Sequence, residues 1–166
     1  SSNEPLTKCY EPSNQSPLHP RSTHRLAHAD LRASSRGISS GVRFSPTGEN
    51  EFFPLRPGLT LTLQADVEDG EGDLETILFV REVTDETREI TIELDGESIT
   101  IETRIVEETE TVDGEVEEIS RSFYAHCEET DTVYYFGEEV DIVDEGEIID
   151  HEGSWLAGVD GAEPGI

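Results

Sequence analysis

The stretch LTLTLQADV, residues 59–67, alternates apolar and polar side chains without interruption. Its apolar positions are Leu59, Leu61, Leu63, Ala65 and Val67. Because successive side chains of a strand point to opposite faces, this period of two predicts a β-strand with one buried face. The segment begins a change in character of the chain from irregular to β-patterned.

Comparable runs continue to about residue 150, and turn signals separate them. The predicted strands are LETILFVREV, EITIELD, ITIETRIV, EISRSFYAHCE, TVYYFGEEVDIV and IIDHE, and the predicted turns are EDGEGD, TDETR, Asp95-Gly96, Asp113-Gly114 and DEGE. Short connections make sequential strands antiparallel neighbours. The sequence therefore predicts an all-β fold of about seven strands, an antiparallel meander forming a barrel-like or sandwich domain.

The first 49 residues differ from the rest, since Ser, Pro, Asn, Arg and His dominate them. They predict an irregular, mildly basic arm with a short helix around 26–32 and a short edge strand in SGVRFSP. Residues 1–50 hold six bases and four acids, whereas residues 51–166 hold five bases and 35 acids. We therefore divide the chain into an arm, residues 1–49, and an acidic β-domain, residues 50–166.

This uneven charge limits the classes of partner. A body with a net charge of −30 repels nucleic acids and anionic membranes, and it attracts cations, basic partners or its own arm. No apolar run reaches the roughly 20 residues of a membrane helix. We expect a protein partner or self-association through residues 1–49, no nucleic acid and no direct membrane insertion. An acidic, lysine-poor surface fits a halophilic source, or an acidic secreted protein of a GC-rich organism.

Two acidic turns raise the question of a metal. Calcium favours oxygen-rich loops, and the first turn supplies Asp66, Glu68, Asp69 and Asp73 as candidate ligands. The second, residues 144–152, is similar in composition. Neither matches the EF-hand pattern, and solvated acids in a hairpin turn are the alternative. We expect no other cofactor.

Catalytic motifs are missing from the sequence. There is no G-x-S-x-G, C-x-x-C or H-E-x-x-H, and Ser154 in HEGSW is not a nucleophile elbow. His126 and Cys127 are neighbours on a strand, so their side chains point to opposite faces. With 39 acids, carboxylate pairs arise by coincidence. The sequence therefore predicts a protein that is not an enzyme.

The cysteines and aromatic residues leave alternatives open. Cys9 and Cys127 are a candidate disulfide that would stabilise by about 4–5 kcal/mol in an oxidising compartment. The alternative is two unpaired thiols, one exposed and one buried. Tyr134 and Tyr135 in VYYF are either a stacking platform for a ligand or core residues on both faces of a central strand.

Two segments carry a resemblance. The segment NEFFPLRPG (50–58) and the long segment 124–166, which contains EGSWLAGVDGAEPGI, resemble a family of uncharacterised bacterial secreted proteins and lipoproteins. Members typically show N-x-Y/F-F-P-L-x-P-G and E-G-S-W-x-A-G-V-D-G-A-x-P-G-I. The resemblance covers about residues 50–166. It implies export to an extracytoplasmic location, a β-rich domain and no established activity.

The resemblance also has two local implications. Members usually continue past this point, so we expect the domain to extend beyond Ile166. They usually carry an acidic or polar residue near Cys127, and this departure favours a bond from Cys127 to the arm through Cys9. The glycine-rich loop around Trp155 is either a plug at one end of the β-domain or a ligand-gripping loop.

Two functions follow from these observations. The first is a non-enzymatic exported structural or interaction module, a subunit of a cell-surface or larger assembly, whose arm docks on an acidic β-body of its own or of a neighbour. The alternative is a calcium- or small-ligand-binding extracellular domain.

Overall fold

A computed structural model describes residues 43–68, 70, 72–94 and 96–166. The strands among these residues are β1 (Phe44–Ser45), β2 (Thr60–Glu68), β3 (Leu74–Leu94), β4 (Glu97–Val112), β5 (Glu115–Cys127), β6 (Thr132–Asp144), β7 (Glu147–Asp150) and β8 (Trp155–Leu156). They form one antiparallel sheet in the order β2-β3-β4-β5-β6-β7, with β1 beside β5 and β8 beside β6. The predicted all-β meander is confirmed, and its sheet is open rather than closed into a barrel.

Tight glycine turns connect the later strands. The β4–β5 turn has left-handed backbone at Asp113 (φ 50°) and Gly114 (φ 92°), and the β6–β7 turn has it at Glu145 (φ 49°) and Gly146 (φ 81°). Two successive positive φ angles match the right-handed twist of the flanking strands. The Asp113 carboxylate also accepts a hydrogen bond from the backbone N–H of Thr76 at 2.9 Å, so this turn is tied to β3.

The turn predicted at TDETR is wrong, because β3 runs unbroken for 21 residues. The pairing instead shifts register there: Val83 lies opposite Val106, but Thr87 lies opposite Arg104. Three residues of β3 therefore oppose a single residue of β4. Such bulges bend a strand and increase its twist, and the polar TDETR segment is accommodated as a bulge.

The main core lies beyond this bulge. Pairing of β4 with β5 ends at Arg104 and Tyr124, and β1 takes the place of β4 opposite Cys127. The far half of the β3–β4 hairpin packs over β5 and β6. The buried cluster consists of Ile90, Ile92, Leu94, Ile101, Phe123, Ala125, Cys127, Tyr134, Phe136 and Ala157. The sequence places Ile119, Phe123, Ala125 and Cys127 on one face of β5 by their alternation. Phe123, Ala125 and Cys127 lie in the cluster, whereas Ile119 is half-buried outside it, before the register shift at Ser122 and Tyr124.

A smaller core lies on the opposite face of the sheet. Leu55, Val83 and Val106 are buried there, and Phe53 packs against them. The FFPLRPG segment covers this face, since Leu55 N–H donates to the carbonyl of Gly48 at 2.9 Å and Gly58 N–H donates to that of Val83 at 2.7 Å. Backbone hydrogen bonds therefore hold this segment against the small core, which it covers.

Strand β2 forms as predicted, but its expected burial is wrong. Leu59, Leu61 and Leu63 are 37%, 46% and 54% exposed. The described residues place only β3 beside this strand and nothing over its apolar face. The apolar–polar alternation therefore predicts the strand correctly but does not predict whether another element covers its apolar face.

Candidate functional site

The end of the arm is attached to the body at the end of β5. Phe44 and Ser45 pair with Cys127 and His126, so the predicted edge strand in SGVRFSP is confirmed. The ring of Phe44 packs edge-on against Tyr134 with a centroid distance of 5.4 Å. This contact anchors the arm in the main core.

A basic residue of the arm meets body carboxylates at this anchor. The Arg43 guanidinium lies 3.6 Å from carboxylate oxygens of both Glu128 and Glu129. Backbone N–H of Arg43 also donates to the Glu129 carboxylate at 3.2 Å. Partial desolvation acts to raise the pKa of Glu129, but the hydrogen bonds from the backbone N–H groups of Glu129 and Arg43, with the Arg43 charge, hold it below its ordinary value of 4.5.

The next residues of the arm make a close approach to β5. A Cβ at Gly48 would lie 2.4 Å from the Cγ atom of His126, so only glycine fits there. His126 Nε2 lies 2.7 Å from an Asp131 carboxylate oxygen. The Asn50 amide donates to the Asp131 carbonyl, and its oxygen accepts from the backbone N–H of Phe53 at 2.9 Å. These contacts fix the path of the arm into the body.

Buried Arg104 joins the same segment to the β3 bulge. Its Nε donates to the carbonyl of Pro46 at 2.9 Å, and one terminal nitrogen donates to those of Glu86 at 3.2 Å and Thr84 at 3.4 Å. Arg104 is 5% exposed. One side chain therefore satisfies carbonyls from two separate segments.

The other arginine side chains of the described residues also bind groups of the same chain. Every arginine in the described residues binds a carboxylate or, for Arg104, backbone oxygen; the ion pairs are Arg43–Glu128, Arg56–Glu49, Arg81–Glu108, Arg88–Glu139 and Arg121–Asp141. The five bases of residues 51–166 face 35 acids. The body therefore presents a large excess of solvent-facing carboxylates, which is a surface for cationic groups.

A polar and aromatic cluster lies on the face of the small core. Glu108 is 6% exposed and forms an ion pair with Arg81, which lies over the ring of Phe53 at 4.7 Å. The rings of Tyr124 and Tyr135 stack with centroids 4.9 Å apart. This arrangement brings Arg81, Glu108, Tyr124 and Tyr135 together on one face.

Burial and neighbouring carboxylates set the protonation of the two phenols in this cluster. Burial, followed by the negative charge of Glu108, raises the pKa of Tyr124 well above its ordinary value of 10.0. Burial, followed by the charge of Glu138, does the same to Tyr135. Both phenols therefore stay protonated near neutral pH, and the Glu108 carboxylate is held by Arg81. The cluster offers no nucleophile activated by an adjacent base.

The predicted calcium ligands are only partly described. Asp66 accepts a hydrogen bond from the Thr76 hydroxyl at 2.9 Å, while Glu68 ends β2 and Asp73 precedes β3. Asp69 lies outside the described residues. The described part of the chain holds no group of three His, Cys, Asp or Glu side chains placed to bind a metal ion. The calcium site stays a prediction.

The aromatic candidates divide between the two faces. Tyr134 is 5% exposed within the main core, whereas Tyr135 lies on the opposite face against Tyr124. Trp155 is half-buried and meets Tyr135 edge-on at 5.1 Å. The structure thus places all three in contacts with other residues of the chain.

The predicted disulfide is described at only one of its ends. Cys127 is fully buried beneath the arm anchor, with Sγ 3.6 Å from a Glu129 carboxylate oxygen. Cys9 lies outside the described residues, as do the helix predicted at 26–32 and most of the arm. The bond between them stays a prediction.

The loop around Trp155 returns the chain to β6. Leu156 pairs with Gly137, and Gly165 exchanges two backbone hydrogen bonds with Tyr135, at 2.9 and 2.8 Å. A Cβ at Gly137 would lie 2.4 Å from the carbonyl oxygen of Trp155, and one at Gly158 would lie 2.5 Å from that of Thr91. The loop therefore packs backbone against backbone on β6 and β3, and whether it also grips a ligand stays a prediction.

Sequence reasoning missed Arg104 and the Arg81–Glu108 pair. Glu108 lies in the acidic run EETE (107–110), while Arg81 and Arg104 are single bases in the strand segments ILFVREV (77–83) and IETRIV (101–106). Only the pairing across strands shows that Arg104 lies below the bulge and that Glu108 lies opposite Arg81. No signal in the local sequence marks them.

Comparison of the chain with protein-family models, curated proteins and solved structures gives no match. The described residues include no helix of the length and apolarity that a membrane crossing needs.

Proposed function

We propose that this chain is a non-enzymatic, exported interaction module whose acidic β-body binds cationic segments, beginning with the arm, residues 1–49, of its own chain or of a neighbour. The exported location rests on the resemblance of residues 50–58 and 124–166 to secreted proteins and lipoproteins. The role as a subunit of a cell-surface or larger assembly belongs to the same proposal.

The observation that carries this proposal is the Arg43 contact. Arg43 belongs to the arm, and it lies between two body carboxylates, Glu128 and Glu129. The arm continues from Arg43 toward its N-terminus with five further bases, Lys8, Arg21, Arg25, Arg32 and Arg36, against the acids Glu4, Glu11 and Asp30. The same attraction between guanidinium and carboxylate is available to each of them.

The internal use of body arginines supports the proposal. Since Arg56, Arg81, Arg88 and Arg121 already bind carboxylates of the chain, they do not shield the rest of the acidic surface. A surface of one sign with few counter-charges raises the local concentration of oppositely charged segments, and salt weakens this effect. The interaction should therefore depend on ionic strength.

A charge-neutralised arm tests the proposal in the full-length chain. We expect the variant Arg21→Gln/Arg25→Gln/Arg32→Gln/Arg36→Gln to have a larger radius of gyration than the wild type at low salt, measured by small-angle scattering. At protein concentrations where light scattering gives the mass of a single chain throughout, raising NaCl from about 0.01 M to about 1 M should expand the wild-type monomer and leave the variant monomer unchanged, because the Debye length falls from about 30 Å to about 3 Å.

The matched control is Arg56→Gln, which removes one exposed positive charge from the body. It should keep the wild-type dimensions and the wild-type response to salt. Light scattering separates docking within one chain from docking on a neighbour, because only the latter raises the mass at low salt. Equal dimensions of wild type and the four-site variant at low salt, with equal mass, would rule out arm docking.

A further inference from the structure

Among the described residues, strand β2 lies at an edge of the sheet and lacks the usual protection. Residues 57–65, PGLTLTLQA, carry no charge, although the whole chain has 39 acids among 166 residues. The pairing of β2 with β3 is continuous from Thr60 to Glu68, without a bulge. Edge strands normally resist pairing through charges, prolines or bulges, and β2 has none of these between Thr60 and Ala65.

The backbone groups that face outward can be assigned from the ladder. Leu59 carbonyl accepts from the N–H of Val83 at 2.9 Å, so Leu59 directs this group toward β3. Since antiparallel ladders alternate, Leu61 and Leu63 also face β3, whereas Thr60, Thr62 and Gln64 present N–H and C=O to the open edge. The edge therefore offers a regular set of donors and acceptors beside an apolar face that is about half exposed at Leu61 and Leu63.

We propose that β2 pairs antiparallel with β2 of a second copy of this chain, about a two-fold axis at Leu63. In this register Leu63 meets Leu63, Leu61 meets Ala65, and Leu59 meets Val67 on one face. Every pair on that face is apolar. On the other face Thr62 meets Gln64 and Thr60 meets Asp66.

Charge selects this arrangement over a parallel one. Antiparallel pairing places the acidic end of β2, Asp66 and Glu68, opposite the uncharged end at Thr60 and Gly58 of the other copy. Parallel pairing in register would place each carboxylate beside its own counterpart, which is unfavourable. A closed two-fold contact also uses the same surface on both partners.

Charge also favours a second copy over a cationic segment. The arm and any other basic partner are attracted by carboxylates, and residues 57–65 supply none. A second copy instead matches the apolar face with its own apolar face. Because each copy carries a net charge of −28, repulsion between bodies opposes the contact, and salt relieves this repulsion.

The proposal is tested by sedimentation velocity on the full-length chain over a range of protein and salt concentrations. The wild type should form a dimer whose affinity rises with NaCl, which is opposite to the salt response of arm docking. Thr62→Pro removes one outward N–H per copy and leaves the ladder to β3 intact. It should weaken the dimer by about tenfold or more, since two hydrogen bonds are lost.

Two further variants test the dimer without relying on the Thr62→Pro substitution. Leu63→Lys places two positive charges at the axis and should abolish the dimer, whereas Ile149→Lys changes a residue of similar exposure (62%) on β7 and should leave it unchanged. Melting curves of each monomer check that folding is retained. If the Thr62→Pro monomer is destabilised, its dimerisation is not interpreted, and the loss of the dimer in Leu63→Lys tests the proposal instead.

Hydrogen exchange identifies the occupant of the edge. The amides of Thr62 and Gln64 should become protected only as the dimer forms. A wild type that stays monomeric at every salt concentration overturns the proposal, as does a dimer indifferent to both β2 variants. Protection of these amides in the monomer also overturns it, because the edge would then already be occupied within a single chain.

Discussion

Replacement of Arg104 by methionine is the most informative single perturbation of the body. Methionine fills a similar apolar volume but cannot donate to the carbonyls of Pro46, Thr84 and Glu86. A hydrogen bond from a charged donor contributes about 1.5–3 kcal/mol, and a buried acceptor without a donor costs about 1–3 kcal/mol. The bond to Pro46 is well formed at 2.9 Å, while those at 3.2 and 3.4 Å are weak. We therefore expect a loss of about 2–4 kcal/mol in the free energy of unfolding.

Equilibrium unfolding in urea measures this loss, with fluorescence of Trp155, the only tryptophan, as the signal. Arg104→Lys retains one donor group and should lose about half as much. Arg56→Met removes an exposed ion pair with a separation of 3.6 Å and should cost less than about 0.5 kcal/mol. If Arg104→Met costs no more than Arg56→Met, the assigned role of Arg104 in joining the arm to the β3 bulge is wrong.

Three further outcomes are expected. Gly137→Ala should lower stability by about 2–4 kcal/mol in thermal unfolding, because its Cβ meets the Trp155 carbonyl at 2.4 Å, whereas Gly114→Ala, with positive φ but open space, should cost about 1 kcal/mol. The contribution of Tyr124 and Tyr135 to stability should be constant below pH about 10 and fall above it, because their folded pKa values are raised; urea midpoints that stay level from pH about 9 to about 11.5 would contradict this. Since the folded pKa of Glu129 is depressed, its contribution should be present above pH 4.5 and be lost as pH falls through the folded pKa; amide protection factors at the arm anchor, corrected for the intrinsic exchange rate at each pH, should fall on acidification in the wild type, and Glu129→Gln should remove part of that response.

The elements that sequence predicted well are those governed by local chemistry. The Asp113-Gly114 pair predicts a hairpin because few other residues accept two positive φ angles in succession, and the structure has that turn. Alternation along β5 placed Phe123, Ala125 and Cys127 on the buried face. In both cases the deciding interaction lies within a few residues.

The elements that sequence predicted poorly depend on distant partners. TDETR has the composition of a turn, yet β4 pairs on both sides of it and the strand continues through a bulge. Leu61 and Leu63 alternate like buried residues, yet the described chain leaves their face open. The alternation rule specifies which face is apolar and carries no information on what lies against that face.

Some features of the candidate site were also predictable from local sequence, and others depended on distant partners. The arm and its charge difference from the body were evident from composition, and the structure adds the contact of Arg43 with Glu128 and Glu129. The position of Arg104 beneath the bulge was not predictable, because it depends on the register between β3 and β4 and on the return of Pro46. Functional residues placed by long-range pairing lie outside the reach of motif analysis.

Zero-length cross-linking at Lys8 shows directly whether the arm docks on the acidic body. Lys8 is the only lysine of the chain and lies in the arm, so carbodiimide activation of carboxylates reports which acids it approaches. At low salt we predict amide cross-links from Lys8 to carboxylates within residues 51–166, lost in about 1 M NaCl and lacking in Lys8→Gln. Cross-links confined to the neighbouring acids Glu4 and Glu11 at low salt would show that the arm does not dock on the body.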